Sequence, residues 1–283
     1  MKRNLITVVI PTLGSKNMNG TLKILNSNKN IKKIIISLPK KFKLKNYKKN
    51  IKKIQIIHSK SKGQVKQRIS AFKFIKTNNV IYMDDDLIID NKLVNNLLNM
   101  KIQMGLRSVI APIYLERKNN KKIHPLDGDF FFKLKKIIHF FLFGTPTNFK
   151  RMGTVSLAGS CYGVDSDYVK KNPFKTSWIP GGCFIISKKY MINFDYFKSE
   201  GKAFCEDLIL SHLLKKNKID LYVDTNSKVL TDGPAKLKKY NDIIDYLEGH
   251  KLFCEFANLK NFRVKIWRFL FIFRIKIINY LQK

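Results

Sequence analysis

Short runs of apolar, β-branched residues alternate with polar stretches along the first half of the chain. Four of these runs predict buried strands, at Leu5–Ile10, Ile31–Leu38, Ile51–His58 and Val80–Met83. Between the third and fourth runs, Gln64–Lys76 has apolar residues near helical spacing and predicts an amphipathic helix. Nearly continuous apolar strands separated by helices are typical of a mainly parallel sheet that is covered on both faces. The pattern therefore predicts an α/β fold.

Ligands of such a sheet bind beyond the carboxyl ends of its strands. We therefore expect Thr12, the turn at Leu38 and Pro39, His58 and the acidic residues 84–86 to converge on one crevice. Three further strands are predicted at Ser108–Tyr114, Gly182–Ser187 and Ile219–Val223. No internal repeat or linker interrupts the chain, so we predict one large unit at 1–233 and an extension at 234–283.

The chain is strongly basic, with 55 Lys and Arg against 20 Asp and Glu in 283 residues and a net charge of +35. Its 45% hydrophobic and 12% aromatic content excludes intrinsic disorder. Only eight of the basic residues are arginines, so the lysine surplus has two interpretations. It reflects the codon drift of an AT-rich genome, or it creates a field that attracts nucleotides, phosphates, anionic lipid surfaces and nucleic acid.

Three consecutive aspartates, Asp84, Asp85 and Asp86, follow the fourth predicted strand. Adjacent carboxylates repel one another, and a bound cation lowers the cost of keeping them close. Oxygen-only ligands favour Mg²⁺ or Mn²⁺, which typically bridge to substrate phosphates. The cluster therefore indicates metal and phosphate chemistry. The alternative is a solvated acidic loop or a helix cap, with Asp86 or Asp90 capping a helix at Asn91–Met100.

No acidic residue precedes position 84, so a second carboxylate must come from further along the chain. Glu206 and Asp207 open a predicted helix at Glu206–Lys216, and a carboxylate there can act as a general base toward a hydroxyl. Compensation of the helix dipole is the alternative. The tetrapeptide Tyr82–Asp85 also occurs in reverse transcriptases, but the acid-free upstream region lacks the further aspartate that such polymerases need.

Five segments together resemble family 2 glycosyltransferases with the GT-A fold. In chain order they are ITVVIPTLG, KGQVKQRISA, YMDDDLI, WIPGGCFIIS and CEDLILSHLL. The resemblance covers residues 5–232 and implies a nucleotide-binding α/β/α sandwich with a mixed, mainly parallel sheet, followed by a C-terminal helical extension. It also implies a Mn²⁺ or Mg²⁺ cofactor and inverting transfer of a sugar from a nucleotide-diphosphate sugar to a hydroxyl. The expected acceptor is a glycan or lipid-linked molecule in surface polysaccharide or glycoconjugate synthesis.

The resemblance also implies roles for individual residues. Contacts to the nucleotide sugar are expected from Pro11, Thr12, Arg68, Asp84 and Asp85. Metal ligation is expected from Asp86 and Asp84, and Asp207 is the expected catalytic base. An acceptor-side wall, for which a purely structural turn is the alternative, is expected from Trp178, Gly181, Gly182 and Glu206.

Two positions depart from the family pattern. Family members usually carry an Asp after the second strand to hold the nucleotide base, where this chain has Ile36–Pro39. Many also carry a metal-binding His after the strand that follows the second acidic pair, and the segment 228–232 has none. Asp232 is a candidate substitute for that His.

Two basic, aromatic segments, Phe130–Phe143 and Arg263–Leu281, contain no acidic residue. Charges interrupt the second segment too often for a bilayer span. It predicts one apolar helical face, formed by Ile266, Phe269, Leu270, Phe273 and Ile277. Such a face suits an anionic membrane surface. Packing on the core or at a dimer interface is the alternative.

The cysteine spacing bears on the cellular location, and the basic charge and the acidic residues bear on two alternative functions. The cysteines form no Cys-x-x-Cys pair, and we expect a cytoplasmic protein, peripheral on the cytoplasmic membrane face. A nucleic-acid-binding protein would use the basic field and the aromatics, but no zinc finger or RNP-type motif is present and a carboxylate trio repels phosphate. We therefore expect no nucleic-acid partner. An inactive glycosyltransferase-like interaction subunit is the other rival, and the retained acids argue against it.

Overall fold

The alternating pattern folds into one mixed sheet with helices on both faces. The computed structural model describes residues 4–45, 52–125, 130–146, 148–198, 202–233 and 240–281. Its strands are β1 (Ile6–Pro11), β2 (Ile31–Pro39), β3 (Ile54–Ser59), β4 (Asn79–Met83), β5 (Ile88–Ile89), β6 (Ser108–Glu116), β7 (Phe174–Thr176), β8 (Cys183–Ser187) and β9 (Asp220–Thr231). Its helices are α1 (Asn19–Ser27), α2 (Gln64–Ala71), α3 (Leu93–Met104), α4 (Phe130–Phe143), α5 (Glu206–Lys216), α6 (Tyr240–Phe256) and α7 (Phe262–Leu281).

The strand order in the sheet is β3-β2-β1-β4-β8-β6-β9-β5, and β7 also pairs with β9. Strands β1 to β4 are parallel to their neighbours within this group. Strand β8 is antiparallel to both β4 and β6, whereas β6 and β9 are parallel. Every residue of β1 and β4 is buried, as continuous apolar runs predict. The predicted α/β class with a mixed, mostly parallel sheet is confirmed.

Helices cover the two faces of the sheet from different parts of the chain. One apolar cluster joins β1 and β2 to α1 and α3, with Leu25 and Leu97 among its fully buried members. The other joins the opposite face to α2, α5 and α6, with Ala71, Ile209 and Phe253 at its centre. The extension predicted after residue 233 thus packs, through α6, on the same core as the rest of the chain. All four cysteines are free thiols.

Two elements differ in length from the prediction. The predicted helix at Gln64–Lys76 ends at Ala71, because Phe72–Phe74 form a 3₁₀ turn and Ile75 becomes extended. The predicted strand at Ile219–Val223 continues to Thr231, because β9 pairs with β6 on both sides of a bulge at residues 225–227. Its polar residues Asp224 and Ser227 hydrogen-bond to each other, which a local hydrophobic pattern does not reveal.

Helix α7 packs on α4 and also keeps an apolar stripe exposed. Trp267 and Phe271 stack on each other and join a small cluster with Phe143 of α4. The predicted face was partly wrong, since Ile266 and Leu270 pack against this cluster. The exposed stripe consists of Phe262, Phe269 and Phe273, and the side chain of Ile277 lies outside the described part. Among the described helices, none is long and apolar enough to cross a membrane.

Candidate active site

A cleft of about 520 Å³ lies at the carboxyl ends of β1 and β4. It is lined by Pro11 and Thr12 after β1 and by Asp84, Asp85 and Asp86 after β4. Parallel neighbouring strands deliver these residues to the same edge of the sheet, as predicted. The prediction that the ends of β2 and β3 also line this cleft was wrong. Neither His58 nor the Leu38–Pro39 turn is among the cleft's described lining residues, because β2 and β3 lie progressively further from β4 in the sheet.

Thr12 connects the two strand ends that frame the cleft. Its hydroxyl donates a hydrogen bond to the Asp85 carboxylate and accepts one from the Gly14 backbone N–H at 2.8 Å. Burial raises the pKa of Asp85, and the hydrogen bond from Thr12 opposes that shift. Thr12 and Asp85 therefore form one rigid rim of the cleft.

Asp84 lies deeper than its neighbour and accepts two hydrogen bonds through Oδ1. The Gln64 amide donates one at 2.5 Å, and Nη2 of Arg68 donates the other at 3.4 Å. Burial raises the pKa of Asp84 to about 7, against the lowering effect of Arg68, and the nearby charges of Asp86 and Glu206 raise it further. A cation beside this group would favour its ionised form.

Arg68 is buried, with 4% of its surface exposed, and links both halves of the site. Its Nη1 lies 2.7 Å from Oε1 of Glu206, and its Nη2 donates to the Gly181 carbonyl at 2.7 Å. The Tyr196 hydroxyl also donates to Glu206, at 2.6 Å. Burial alone would lower the pKa of Arg68, but Glu206 and Asp84 outweigh burial and raise it. The guanidinium is thus held ionised between two carboxylates.

This geometry bears on two predicted roles. Arg68 is not among the described residues that line the cleft but contacts Asp84, which does, so its contact with the nucleotide stays a prediction. Glu206 was expected at the acceptor wall, but its side chain is buried and paired with Arg68. Both residues are drawn inward because a buried charge is stable only when an opposite charge and hydrogen bonds satisfy it.

Asp207, at the start of α5, lies directly beside the glycine pair. The Leu208 backbone N–H donates to its Oδ1 at 2.9 Å, and the Gly181 backbone also hydrogen-bonds to its carboxylate. Burial raises the pKa of Asp207 to about 7, and the adjacent charge of Glu206 adds to this effect. A carboxyl group with this pKa is suited to accepting a proton near neutral pH.

Gly181 and Gly182 separate the two carboxylate groups and touch both. A Cβ atom on Gly181 would lie 3.0 Å from Oε2 of Glu206 and 3.1 Å from Cβ of Asp207. A Cβ atom on Gly182 would lie 2.9 Å from Oδ2 of Asp84, whose backbone N–H donates to the Gly182 carbonyl at 2.7 Å. Side chains at either position would push the carboxylates away, so the glycines are needed for close approach.

Trp178 was expected to form an acceptor-side wall together with these glycines. It is 4% exposed, and its indole N–H donates to the Tyr162 carbonyl at 2.9 Å. Its ring edge meets His124, and both residues line a small cavity with Pro180. The segment is therefore a packed wall whose exposed surface is small.

Comparisons with known proteins bear on the family and the fold of the chain. A family model described as "Glycosyl transferase family 2" matches residues 7–169, which is more than half of the chain. The chain belongs to glycosyl transferase family 2. A search of curated proteins gave no match.

Two solved structures share the fold of this family 2 chain. One is GalNAc-T7 with UDP, GalNAc and Mn²⁺, at 11% identity and a TM-score of 0.59 over 92% of this chain and 50% of that one. The other is S. aureus TarS 1–349 in complex with UDP-GlcNAc, at 11% identity and a TM-score of 0.53 over 89% of this chain and 66% of that one. This chain thus spans half to two thirds of their lengths. At such identities the likeness establishes the GT-A fold alone.

The acidic residues of this family 2 chain provide a partial oxygen-ligand set for a divalent cation. Asp86 is half-buried and lines both the main cleft and a neighbouring cavity. Within the described ranges, no three His, Cys, Asp or Glu side chains are grouped to hold a metal. Mg²⁺ and Mn²⁺ fit such a site, since they are commonly held by one or two carboxylates, with water and substrate phosphates completing the shell. The donor set therefore fits the implied cofactor.

Asp232 has partners other than a metal. Its carboxylate lies 3.1 Å from Nη1 of Arg117 and 3.6 Å from Nζ of Lys16. Arg117 also donates to the Asp86 backbone carbonyl at 2.7 Å, which places Asp232 close to the acidic loop. These ion pairs are exposed and therefore weak. They favour a role for Asp232 in holding Arg117 against the loop.

Several cleft residues were missed by sequence reasoning. Gln67 donates to the carbonyls of Thr12 and Ser37, which fixes the loop after β1. The cleft is further lined by Ser15, Lys16, Lys62, Gln64, Lys202, Asp242 and Asp245. The two aspartates come from α6, beyond the unit predicted at 1–233, and Asp242 lies 2.6 Å from Nζ of Lys202. Among these residues, only Gln64 and Gln67 could have been suspected from the sequence, because they lie close to Arg68 in the same predicted helix.

Proposed function

We propose that this protein is an inverting glycosyltransferase that moves a sugar from a nucleotide-diphosphate sugar to a hydroxyl of a glycan or lipid-linked acceptor. Surface polysaccharide or glycoconjugate synthesis is the proposed setting. One observation supports this above the others. Gly181 and Gly182 bring Asp84 and Asp207 to opposite ends of one dipeptide, and Arg68 contacts the carbonyl between them. Asp84 on the donor side and Asp207 on the acceptor side therefore lie close enough to act in a single transfer step.

The donor occupies the cleft at the ends of β1 and β4 in this proposal. Pro11, Thr12, Asp84 and Asp85 face the nucleoside portion of the donor, since they form the cleft's rim and floor. Lysines 16, 62 and 202 line the same cleft. Their charges neutralise a diphosphate and stabilise it as a leaving group.

Asp207 is the proposed general base. Its carboxylate takes the proton of the acceptor hydroxyl, and the resulting oxygen attacks the anomeric carbon of the donor sugar. The bond between that carbon and the diphosphate oxygen breaks, and its electron pair leaves with the nucleoside diphosphate. Attack from the face opposite the leaving group inverts the anomeric configuration, and no covalent enzyme intermediate forms.

The residues proposed to hold Mn²⁺ or Mg²⁺ are Asp86 and Asp84. Such a cation supplies further neutralisation of the departing diphosphate when it is bound. The protein's own contribution is to hold Asp84 in place through Gln64 and Arg68 and to keep Asp86 open to the cleft.

We also propose an anionic membrane surface on the cytoplasmic side as a partner. Support comes from exposed phenylalanines on α4 and α7, including Phe141, Phe262 and Phe269. Neither helix contains an acidic residue, so an anionic surface meets no repulsion there. Nucleic acid is the less favoured partner, because the main cleft is lined by five aspartates.

The decisive experiment is a panel of nucleotide sugars, including UDP-GlcNAc, UDP-GalNAc, UDP-glucose and GDP-mannose, incubated with the protein and Mn²⁺. Release of the nucleoside diphosphate is followed with time. We expect hydrolysis of at least one donor, abolished by EDTA. Mn²⁺-dependent UDP binding with no hydrolysis or transfer would instead identify an inactive interaction subunit. Salt-sensitive binding to single-stranded nucleic acid without hydrolysis would identify the nucleic-acid-binding alternative.

A further inference from the structure

Tyr114 lies beside the donor-side carboxylate, and the proposed mechanism gives it no role. It is near the carboxyl end of β6, and β6 runs in the same direction as β4 because both are antiparallel to β8. The ends of β4 and β6 therefore reach the same edge of the sheet. The Tyr114 ring packs against the apolar cluster that joins β1 and β2 to α1 and α3, which fixes the position of its hydroxyl oxygen.

The Tyr114 hydroxyl is buried and has no hydrogen-bond partner among the described residues. Burial raises the pKa of Tyr114 well above its usual range, and the charges of Cys183 and Asp84 add to this shift. The Cys183 backbone opposes the shift, as an N–H group that faces the phenol oxygen does, so the hydroxyl proton still has no acceptor. Leaving a buried donor unpaired is costly, and most buried polar groups in native proteins are paired.

Asp84 faces this hydroxyl across Gly182. A Cβ atom on Gly182 would lie 3.1 Å from the Tyr114 hydroxyl oxygen and 2.9 Å from Oδ2 of Asp84, so both oxygens border the space that the glycine leaves empty. The hydrogen bonds from Gln64 and Arg68 go to Oδ1 of Asp84 instead. Oδ2 is therefore the acceptor that a small rotation of the carboxylate would bring to the Tyr114 hydroxyl.

We propose that Tyr114 is a positioning residue, which donates a hydrogen bond to Oδ2 of Asp84 when the donor nucleotide sugar is bound. This inference rests on the proposed glycosyl transfer and adds a residue to its donor side. Hydrogen bonds within a site are often long or poorly aligned before the substrate binds, and they tighten in the complex. Because the core holds the Tyr114 ring, the hydroxyl is preorganised for this contact. The Asp84 carboxylate is then held through both of its oxygens.

This role separates two quantities that a purely structural hydroxyl would change together. In the unliganded protein the Tyr114 hydroxyl is unpaired, so its removal should not lower stability. In the donor-bound protein it is paired with a carboxylate, and hydrogen bonds to charged groups are stronger than neutral ones. Tyr114→Phe should therefore keep the stability of the unliganded protein and weaken the binding of the donor.

The structural alternative is a water molecule in a small neighbouring cavity. Tyr114 lines this cavity of about 20 Å³ together with His124, Trp178 and Pro180, and such a volume accommodates one water. A water that accepted a hydrogen bond from Tyr114 would stabilise the unliganded protein and would not depend on the donor. The two roles therefore predict opposite results for the same variant.

The test compares Tyr114→Phe with the matched control Tyr222→Phe. Tyr222 of β9 is half-buried against the same apolar cluster, and it is not among the described residues that line the donor cleft at the ends of β1 and β4. UDP-GlcNAc, UDP-GalNAc, UDP-glucose and GDP-mannose are each titrated into the proteins with Mn²⁺ by calorimetry. For a donor that the unaltered protein binds, Tyr114→Phe should lose about tenfold in affinity and Tyr222→Phe less than twofold.

Two further measurements separate a positioning role from a structural one. Urea unfolding without ligand should give Tyr114→Phe a midpoint equal to or above that of the unaltered protein, since the lost hydroxyl is unpaired there. In donor hydrolysis, the KM for the donor should rise about tenfold while kcat stays within about twofold, because the contact holds the donor equally before and during the reaction.

Several results would overturn the proposal. Unchanged donor affinity in Tyr114→Phe would reject the positioning role alone and leave the proposed function standing. A lowered urea midpoint would show that the hydroxyl is already paired in the unliganded protein, as with a bound water. An equal loss of affinity in Tyr222→Phe would show that the effect is not specific to the hydroxyl beside Asp84. If the unaltered protein binds none of the four donors, the proposed function fails and the positioning role fails with it.

Discussion

The donor cleft and a basic cavity of about 190 Å³ beside α4 differ in the charge of their lining residues. Aspartates predominate in the cleft, whereas Lys135, Lys136 and Arg151 line the basic cavity. The cleft gathers five aspartates and keeps them close with lysines, the Thr12 hydroxyl and a buried arginine. The basic cavity gathers two lysines, an arginine and two histidines, and the described part of its lining contains no carboxylate. A net charge of +35 therefore does not describe either site.

The two sites also differ in which residues maintain their shape. The cleft is preorganised by hydrogen bonds from the buried Arg68 to Asp84, Gly181 and Glu206, so its shape depends on groups that lie beneath its surface. The basic cavity depends on Lys135 and Lys136 of α4, which are exposed and half-buried respectively, together with the buried Arg151. We expect substitutions in the first region to damage fold and activity together, and substitutions of the two lysines in the second to leave donor hydrolysis intact.

The largest effect is expected from Arg68→Met. This change leaves the buried Glu206 without its cation, and breaking a buried ion pair typically costs about 3–5 kcal/mol. Chemical denaturation should show the free energy of unfolding lowered by that amount. Adding Glu206→Gln to Arg68→Met should recover part of the loss, because the uncompensated carboxylate is then removed. A loss below 1 kcal/mol in the single variant would contradict the structural role of Arg68.

Asp207→Asn should reduce transfer or donor hydrolysis by about 10²-fold or more, since the base is lost while the shape is kept. UDP binding and the unfolding curve should remain close to those of the unaltered protein. Asp220→Asn, which changes an exposed aspartate paired with Lys175, is the matched control and should leave turnover intact. Near-normal turnover in Asp207→Asn would refute the assignment of the base.

Removing the open carboxylate by Asp86→Asn should raise the Mn²⁺ concentration required for half-maximal activity by about tenfold, because one oxygen ligand loses its charge. Asp232→Ala should leave this concentration unchanged, since the Asp232 carboxylate is paired with Arg117 and Lys16. Titration of activity with Mn²⁺ measures both. A larger effect in Asp232→Ala than in Asp86→Asn would make Asp232 the substitute for the missing His.

The smallest change, less than tenfold between pH 7 and pH 6.5, is expected in the pH dependence near neutrality. The pKa of Asp207 is raised to about 7, chiefly by burial, and a general base acts only when deprotonated. The value of kcat/KM should therefore rise with pH up to about 7 and fall roughly tenfold per unit below it. A flat kcat/KM profile between pH 5 and 8 would exclude Asp207 as the base.

Local sequence patterns predicted most of the sheet but less of the site. The strands around β1 and β4 were recognisable because continuous apolar runs must be buried. Asp90 caps α3 through hydrogen bonds from the Lys92 and Leu93 backbone N–H groups, which was one of the alternatives for the acidic cluster. The inward pairing of Arg68 with Glu206 was not predictable, since the two residues are 138 positions apart and meet only after the sheet has formed.

The sequence by itself determined the α/β alternation, the acidic loop after β4, the acidic start of α5 and the glycine pair before β8. These features are local, because hydrophobic periodicity and the charge of a helix start act over a few residues. Tertiary structure decided that α6 lines the cleft, that Arg68 pairs with Glu206 and that Phe130 and Phe141 of α4 stay exposed. Those outcomes depend on which surfaces meet across the fold. Burial makes these contacts specific, because a buried charge is stable only beside an opposite charge or a hydrogen-bond partner.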